Sequence, residues 1–180
     1  MSTIVLVPGF WLGAWAWAEV TPRLRAAGHD VYPVTLTGLA ERAAEADPRV
    51  NVDTHIADLT GLVQTASLRD VTLVGHSGAN MAVTGAADLL GDRVARVVYV
   101  DSGPMPSGMA SIDFHGPQAQ RSLRDQVARC GDGWLLPVPP GRAGGPARYA
   151  RRPRPRSVAA LSSRSLRRRR WCCRRCWRRA

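Results

Sequence analysis

The residues best placed to do chemistry in this chain are Gly75-His76-Ser77-Gly78-Ala79. A serine among small residues, directly after the apolar, β-branched run Val71-Thr72-Leu73-Val74, is the pattern of a nucleophile on a sharp strand-to-helix turn. Such a turn strains the serine backbone and presents its hydroxyl at the strand end, while small neighbours keep side chains off the adjoining strand and helix. The chemistry this suits is acyl transfer, which needs a nucleophile, a base to take its proton and donors for the developing oxyanion. Ser77 supplies the first. A small residue in a tight turn is the alternative reading, and the pattern on both sides of Ser77 favours the nucleophile.

The base is harder to find. The histidines are His29, His55, His76 and His115. His29 precedes a strand in a turn and His55 falls in the first turn of a helix, so both read as structural or solvated. His76 adjoins Ser77, but its side chain should point away from it, as a packing or hydrogen-bonding group. His115 lies beyond the last identifiable strand, where a substrate contact is conceivable. Among the aromatics, Trp11 is placed to line an apolar pocket, and Trp15 and Trp17 to pack the first helix onto a sheet.

Strands and helices alternate around these residues. Thr3–Val7 predicts a strand ending at Pro8-Gly9, and residues 15–27 a helix stopped by Gly28, with Pro22 bending it or marking its true first turn. Asp30–Val34 is the next strand. Asp53 or Thr54 can cap a helix to Ala66, with Ile56, Leu59, Leu62 and Val63 on one face. Val71–Val74 leads into the serine turn, Gly78–Leu90 is the helix behind it, and Val94–Val100 is another buried strand ending at Asp101. This alternation implies right-handed crossovers and an α/β fold, a parallel sheet with helices on both faces. Ligands in such sheets bind beyond the carboxyl ends of the strands, where Pro8-Gly9-Phe10, Ser77 and Asp101 all fall.

The chain resembles the α/β-hydrolases, in particular the group of plant methyl esterases, hydroxynitrile lyases and bacterial esterase-like proteins. The residues that carry the likeness are Val5-Leu6-Val7-Pro8-Gly9-Phe10-Trp11-Leu12-Gly13, Leu24-Arg25-Ala26-Ala27-Gly28-His29, Thr35-Leu36-Thr37-Gly38, Asp53-Thr54-His55, Val74-Gly75-His76-Ser77 and Val98-Tyr99-Val100-Asp101. Gly131-Asp132-Gly133-Trp134-Leu135-Leu136-Pro137 is similar to lid sequence of bacterial members, so the likeness covers residues 3–140. It implies an esterase acting on a small carboxylic ester, with Ser77 as nucleophile, the backbone N–H groups of Gly78 and Phe10 as oxyanion hole, Trp11 against the substrate, and neither cofactor nor metal. A lyase of the same fold and a non-catalytic small-ligand-binding remnant are the alternatives. Two positions depart from the family pattern, Pro8 where a histidine is usual and Ala79 where a glycine is. The triad order of this fold is Ser, Asp or Glu, then His. Here no histidine follows His115 and no carboxylate follows Asp132, so the acid and base of the triad have no counterpart. Asp101 is an alternative acid, or a hydrogen-bonding end cap. The fold is expected to be truncated, with Val94–Val100 left as an exposed edge strand.

Charge divides the chain. Residues 1–140 carry 10 arginines and all 14 acids, for −4; residues 141–180 carry 15 arginines and no acid, for +15. Lysine is absent. The expected organisation is therefore an N-terminal part of a hydrolase domain over 1–140, including the start of a lid, and an arginine-rich tail over 141–180. Self-repulsion and scarce apolar residues make disorder the expectation for the tail. An arm for nucleic acid or anionic membrane is one reading of it, though no nucleic-acid-binding motif accompanies the charge. A metal site from Cys172, Cys173 and Cys176 lacks a fourth ligand. The reading favoured is the product of a GC-rich gene translated in a shifted frame. No secretory signal, membrane span or disulfide framework is evident, so a cytoplasmic location is expected.

Overall fold

A computed structural model describes residues 1–138, so the expectations for the arginine-rich tail lie outside the described residues. The first of two compact units, Met1–Ser111, holds a four-stranded sheet. Its strands are β1 (Thr3–Val7), β2 (Asp30–Pro33), β3 (Val71–His76) and β4 (Val94–Val100), all parallel, in the order β2-β1-β3-β4. The helices are α1 (Val20–Ala26), α2 (Val52–Thr65) and α3 (Asn80–Leu90). β1 and β4 match their expected bounds. The long first helix is instead a 3-10 turn, Ala14–Trp17, followed by α1. Pro22 sits in the first turn of α1, where its missing N–H costs no intrahelical bond. The cap of α2 is Asn51, not Asp53 or Thr54: Asn51 and Thr54 each accept a bond from the other's backbone N–H, closing a capping box.

Alternation along the strands sorts side chains into two layers. Val5, Val7, Val71 and Leu73 join Leu59 and Val63 of α2 and Val83 and Ala86 of α3 in the main core. The predicted α2 stripe is the packed one, with Ile56 and Leu62 against that cluster. Gly75 lets α3 lie close, since a Cβ there would stand 2.7 Å from a Val83 methyl. On the opposite face Ile4, Leu6 and Val31 pack with Trp17, Leu24 and Val74. Trp17 thus holds the first helical segment on the sheet, as expected. β4 departs from the buried strand that its apolar run suggested. It is instead the exposed edge strand that the missing downstream elements led us to expect, with Val98 36% and Val100 39% exposed and no strand beyond it among the described residues.

The second unit, over its described residues 112–138, contains α4 (Pro117–Cys130), which the sequence reading had not separated from the lid region. Pro117 opens it at the first helical position, and the Gly131 and Gly133 N–H groups close it on the Val127 carbonyl.

Candidate active site

The strand order turns about β1 and β3: the chain passes from β1 outward to β2 on one side, then returns to β3 on the other. The carboxyl ends of β1 and β3 therefore flank the crevice where open α/β sheets bind ligands. β3 delivers Ser77 there. Ser77 has φ +50°, a left-handed conformation that non-glycine residues seldom adopt and that costs about 1–3 kcal/mol. Its helical turn runs on into α3, whose N-terminal dipole end lies behind the serine.

The loop after β1 lies against this turn. A Cβ on Gly9 would stand 3.0 Å from the Ser77 Cβ, a contact tighter than side chains usually make, so glycine eases the close approach of the two segments. The Phe10 ring lies over Gly78, where an added Cβ would stand 2.5 Å from two ring carbons. Trp11, at φ +66°, meets Phe10 edge-on with ring centroids 5.9 Å apart. Phe10, Ser77 and Gly78 are thus brought together, with Trp11 joined to them through Phe10, and all four are partly buried.

Two histidines of the first unit are held elsewhere. His55 Nε2 lies 3.0 Å from the Thr37 carbonyl, which can only accept, so this nitrogen donates. His76 meets Trp17 edge-on at 6.4 Å, on the α1 side of the sheet. His29 is partly buried, with Nδ1 unpartnered, and His115 is exposed. Among the described residues of the first unit, no hydrogen bond joins a histidine to the Ser77 hydroxyl. Asp101 ends β4 at φ +52° with its carboxylate exposed.

Two supports around the crevice were missed by sequence reasoning. Asp58, in mid α2, accepts from the Thr37 N–H at 2.7 Å and from its hydroxyl at 2.8 Å. Arg42 donates to the same carboxylate at 3.2 Å, to the Thr35 carbonyl at 3.1 Å and to Glu45 at 2.6 Å. Its bond to Glu45, then its bond and attraction to Asp58, hold the guanidinium charged well above its ordinary range. Together these groups fix the loop after β2. Behind Ser77, the Asn80 amide donates to the Gly103 carbonyl at 2.9 Å and the Thr84 and Tyr99 hydroxyls bond at 2.8 Å, tying β4 and the loop after it to α3. Asp58 had a visible signal, an acid amid an amphipathic helix, but its partners lie 16 and 21 residues away.

A model described as the alpha/beta hydrolase family matches residues 4–179. The chain belongs to the alpha/beta hydrolase family. Among similar curated proteins, a carbendazim hydrolyzing esterase of Nocardioides sp. (strain SG-4G) is 40% identical over 102 residues, 57% of this chain and 42% of the relative. Methylesterase 7 of Arabidopsis thaliana is 33% identical over 98 residues, 53% of this chain and 38% of that protein. This hydrolase chain therefore spans about two-fifths of the length of these relatives. The fold agrees with an extracellular alpha/beta-hydrolase from a Paenibacillus species, at TM-score 0.69 and 24% identity, over 77% of this chain and 56% of that one. That protein is described as sharing structural and functional homology with tobacco salicylic acid binding protein 2. Among the described residues of the hydrolase, no helix is long and apolar enough to cross a membrane, and no group of three potential metal ligands occurs.

Proposed function

We propose that this chain carries the nucleophile half of a carboxylic ester hydrolase. Ser77 attacks the ester carbonyl, the backbone N–H groups of Phe10 and Gly78 receive the oxyanion, and Trp11 lines the acyl or alcohol side of the pocket. The observation that carries this reading is the left-handed Ser77 at the carboxyl end of β3 with Gly9 pressed against it. The esterase relatives support a small ester as substrate. One preorganised oxyanion donor lowers the barrier by about 3 kcal/mol, so two give residual acylation even without a base. Loss of the triad base costs several powers of ten in rate, and on this reading the chain is impaired for that reason. A cytoplasmic setting goes with this reading.

The contacts of His55 with the Thr37 carbonyl and of His76 with Trp17 favour a second reading, a remnant that binds a small ligand without turnover. Fluorophosphonate labelling separates the two. The esterase reading expects a slow adduct on Ser77, lost in Ser77→Ala and accelerated by added imidazole acting as the missing base. A folded protein that forms no adduct, with or without imidazole, is the remnant.

A further inference from the structure

The loop that carries Phe10 and Trp11 is held in shape by a neighbouring loop. Its turn closes with the Leu12 N–H donating to the Gly9 carbonyl at 3.2 Å, and Trp11 sits inside that turn at φ +66°. A tryptophan in left-handed backbone persists only where its surroundings fix it. At the near end the loop leaves β1 through the fully buried Pro8. At the far end the Ala14 N–H donates to the Thr35 hydroxyl oxygen at 2.7 Å. Thr35 gives its one hydroxyl proton to the Glu41 carboxylate, so its oxygen meets Ala14 with a lone pair. The two loops are in close contact there. A Cβ on the buried Gly13 would run into the Glu41 carboxylate and stand 2.7 Å from the Ala40 Cβ. Thr35 is in turn backed by α2, since Arg42 donates both to the Thr35 carbonyl and to Asp58, and Asp58 holds Thr37.

We propose that Thr35, its hydroxyl oriented by Glu41, is a positioning residue for the oxyanion donor on Phe10. The inference rests on the esterase reading of Ser77. Thr35 acts through Ala14 and the Gly9–Leu12 turn, not on the reacting atoms. Without the hydroxyl the Ala14 N–H loses its partner, and Trp11 is free to return to the negative φ that a bulky side chain prefers. That relaxation carries the Phe10 N–H away from Ser77. An oxyanion donor works because it is aimed before charge develops, and a displacement of about 1 Å is enough to forfeit much of its effect. The loss falls on the bond-forming step, because the hydroxyl sets the aim of the donor and not the walls that receive the substrate.

The test compares the full 180-residue chain with Thr35→Val, which keeps the shape and removes the hydroxyl, and with Thr35→Ser, which restores it. NMR order parameters of the Trp11 and Leu12 amides should be about 0.85 in the wild type and in Thr35→Ser, and below about 0.6 in Thr35→Val. The limiting rate of fluorophosphonate labelling at Ser77 should fall about tenfold in Thr35→Val at an unchanged half-saturating concentration, and recover in Thr35→Ser. A residue that only stabilises the fold would lower the urea midpoint without that split or that rescue. If Thr35→Val does not fold, Glu41→Ala, at an exposed position, carries the same test with a smaller loss of order and rate. A wild-type chain that forms no adduct sinks the esterase reading, and the order parameters then decide the anchoring of the loop by themselves. Unchanged order at Trp11 and Leu12 in the folded variant overturns the proposal. So does a lost labelling rate that Thr35→Ser does not restore.

Discussion

β2 and β4 both close the sheet, yet the two sides of the molecule they bound are built differently. On the β1–β2 side, Ile4, Leu6 and Val31 are buried under Trp17 and Leu24, and β2 carries Pro33 and has its Val31 carbonyl taken by the Arg25 guanidinium at 2.7 Å. On the β3–β4 side the α3 face is packed by Val97 and Tyr99, while Val98 and Val100 on the other face are more than a third exposed. The residue types of β1 and β4 are alike, both dominated by β-branched and aliphatic side chains. What differs is a neighbour: among the described residues, one strand has a helical layer over each face and the other a layer over one. An apolar run therefore reports the capacity to be buried, and burial itself depends on what the rest of the chain supplies.

The largest effect should come from truncating one apolar side chain on each side. Leu6→Ala should cost about 2–5 kcal/mol, because it opens a cavity between α1 and the sheet. Val98→Ala should cost under about 1 kcal/mol, as a surface substitution does. Urea midpoints compare the two, and equal losses would show that β4 is covered in solution. Next is Gly75→Ala, which pushes a methyl into Val83 on the packed face of β3 and should cost about 1–3 kcal/mol by overpacking.

A similar contrast holds at the carboxyl ends of the strands. Gly78→Ala meets the Phe10 ring and, on the proposed esterase reading, should slow fluorophosphonate labelling of Ser77 by about a hundredfold, the cost of misplacing one oxyanion donor. A Cβ on Gly103, in the loop after β4, meets nothing within 4 Å, and Gly103→Ala should leave the labelling rate unchanged. The smallest effect belongs to Glu45. Its bond to Arg42 lowers its titration below the ordinary 4.5, so its stabilisation is present at neutral pH and fades as pH falls through the acid range. Glu45→Gln should flatten the acid limb of a stability–pH curve slightly, because the group is exposed and screened.

Much of the first unit was legible. Period-two and period-3.6 patterns located β1, β4 and the buried stripe of α2, since these follow from local geometry. Pro22 left a bend and a first turn both open, and the structure takes the second, with Pro22 in the first turn of α1. The cap at Asn51 was missed by two residues, because asparagine and aspartate cap equally well and only the Thr54 return bond distinguishes them. Part of the site was legible too. The strand–Gly-x-Ser pattern pointed to Ser77, since few residue types tolerate so tight a turn. The clamp of Asp58 and Arg42 on the Thr35–Thr37 loop was not, because nothing in either residue's local sequence names a partner across the fold.

By itself the sequence determined the strand–helix alternation, the serine turn and the small residues around it, all set by backbone sterics over a few positions. Only the tertiary structure decided that Gly9 presses on Ser77, that Phe10 lies over Gly78, and that Asp58 and Arg42 meet on the Thr35–Thr37 loop. Those outcomes depend on which distant segments arrive beside a strand. The pairing of strands is a property of the assembled sheet, carried by no single stretch of chain.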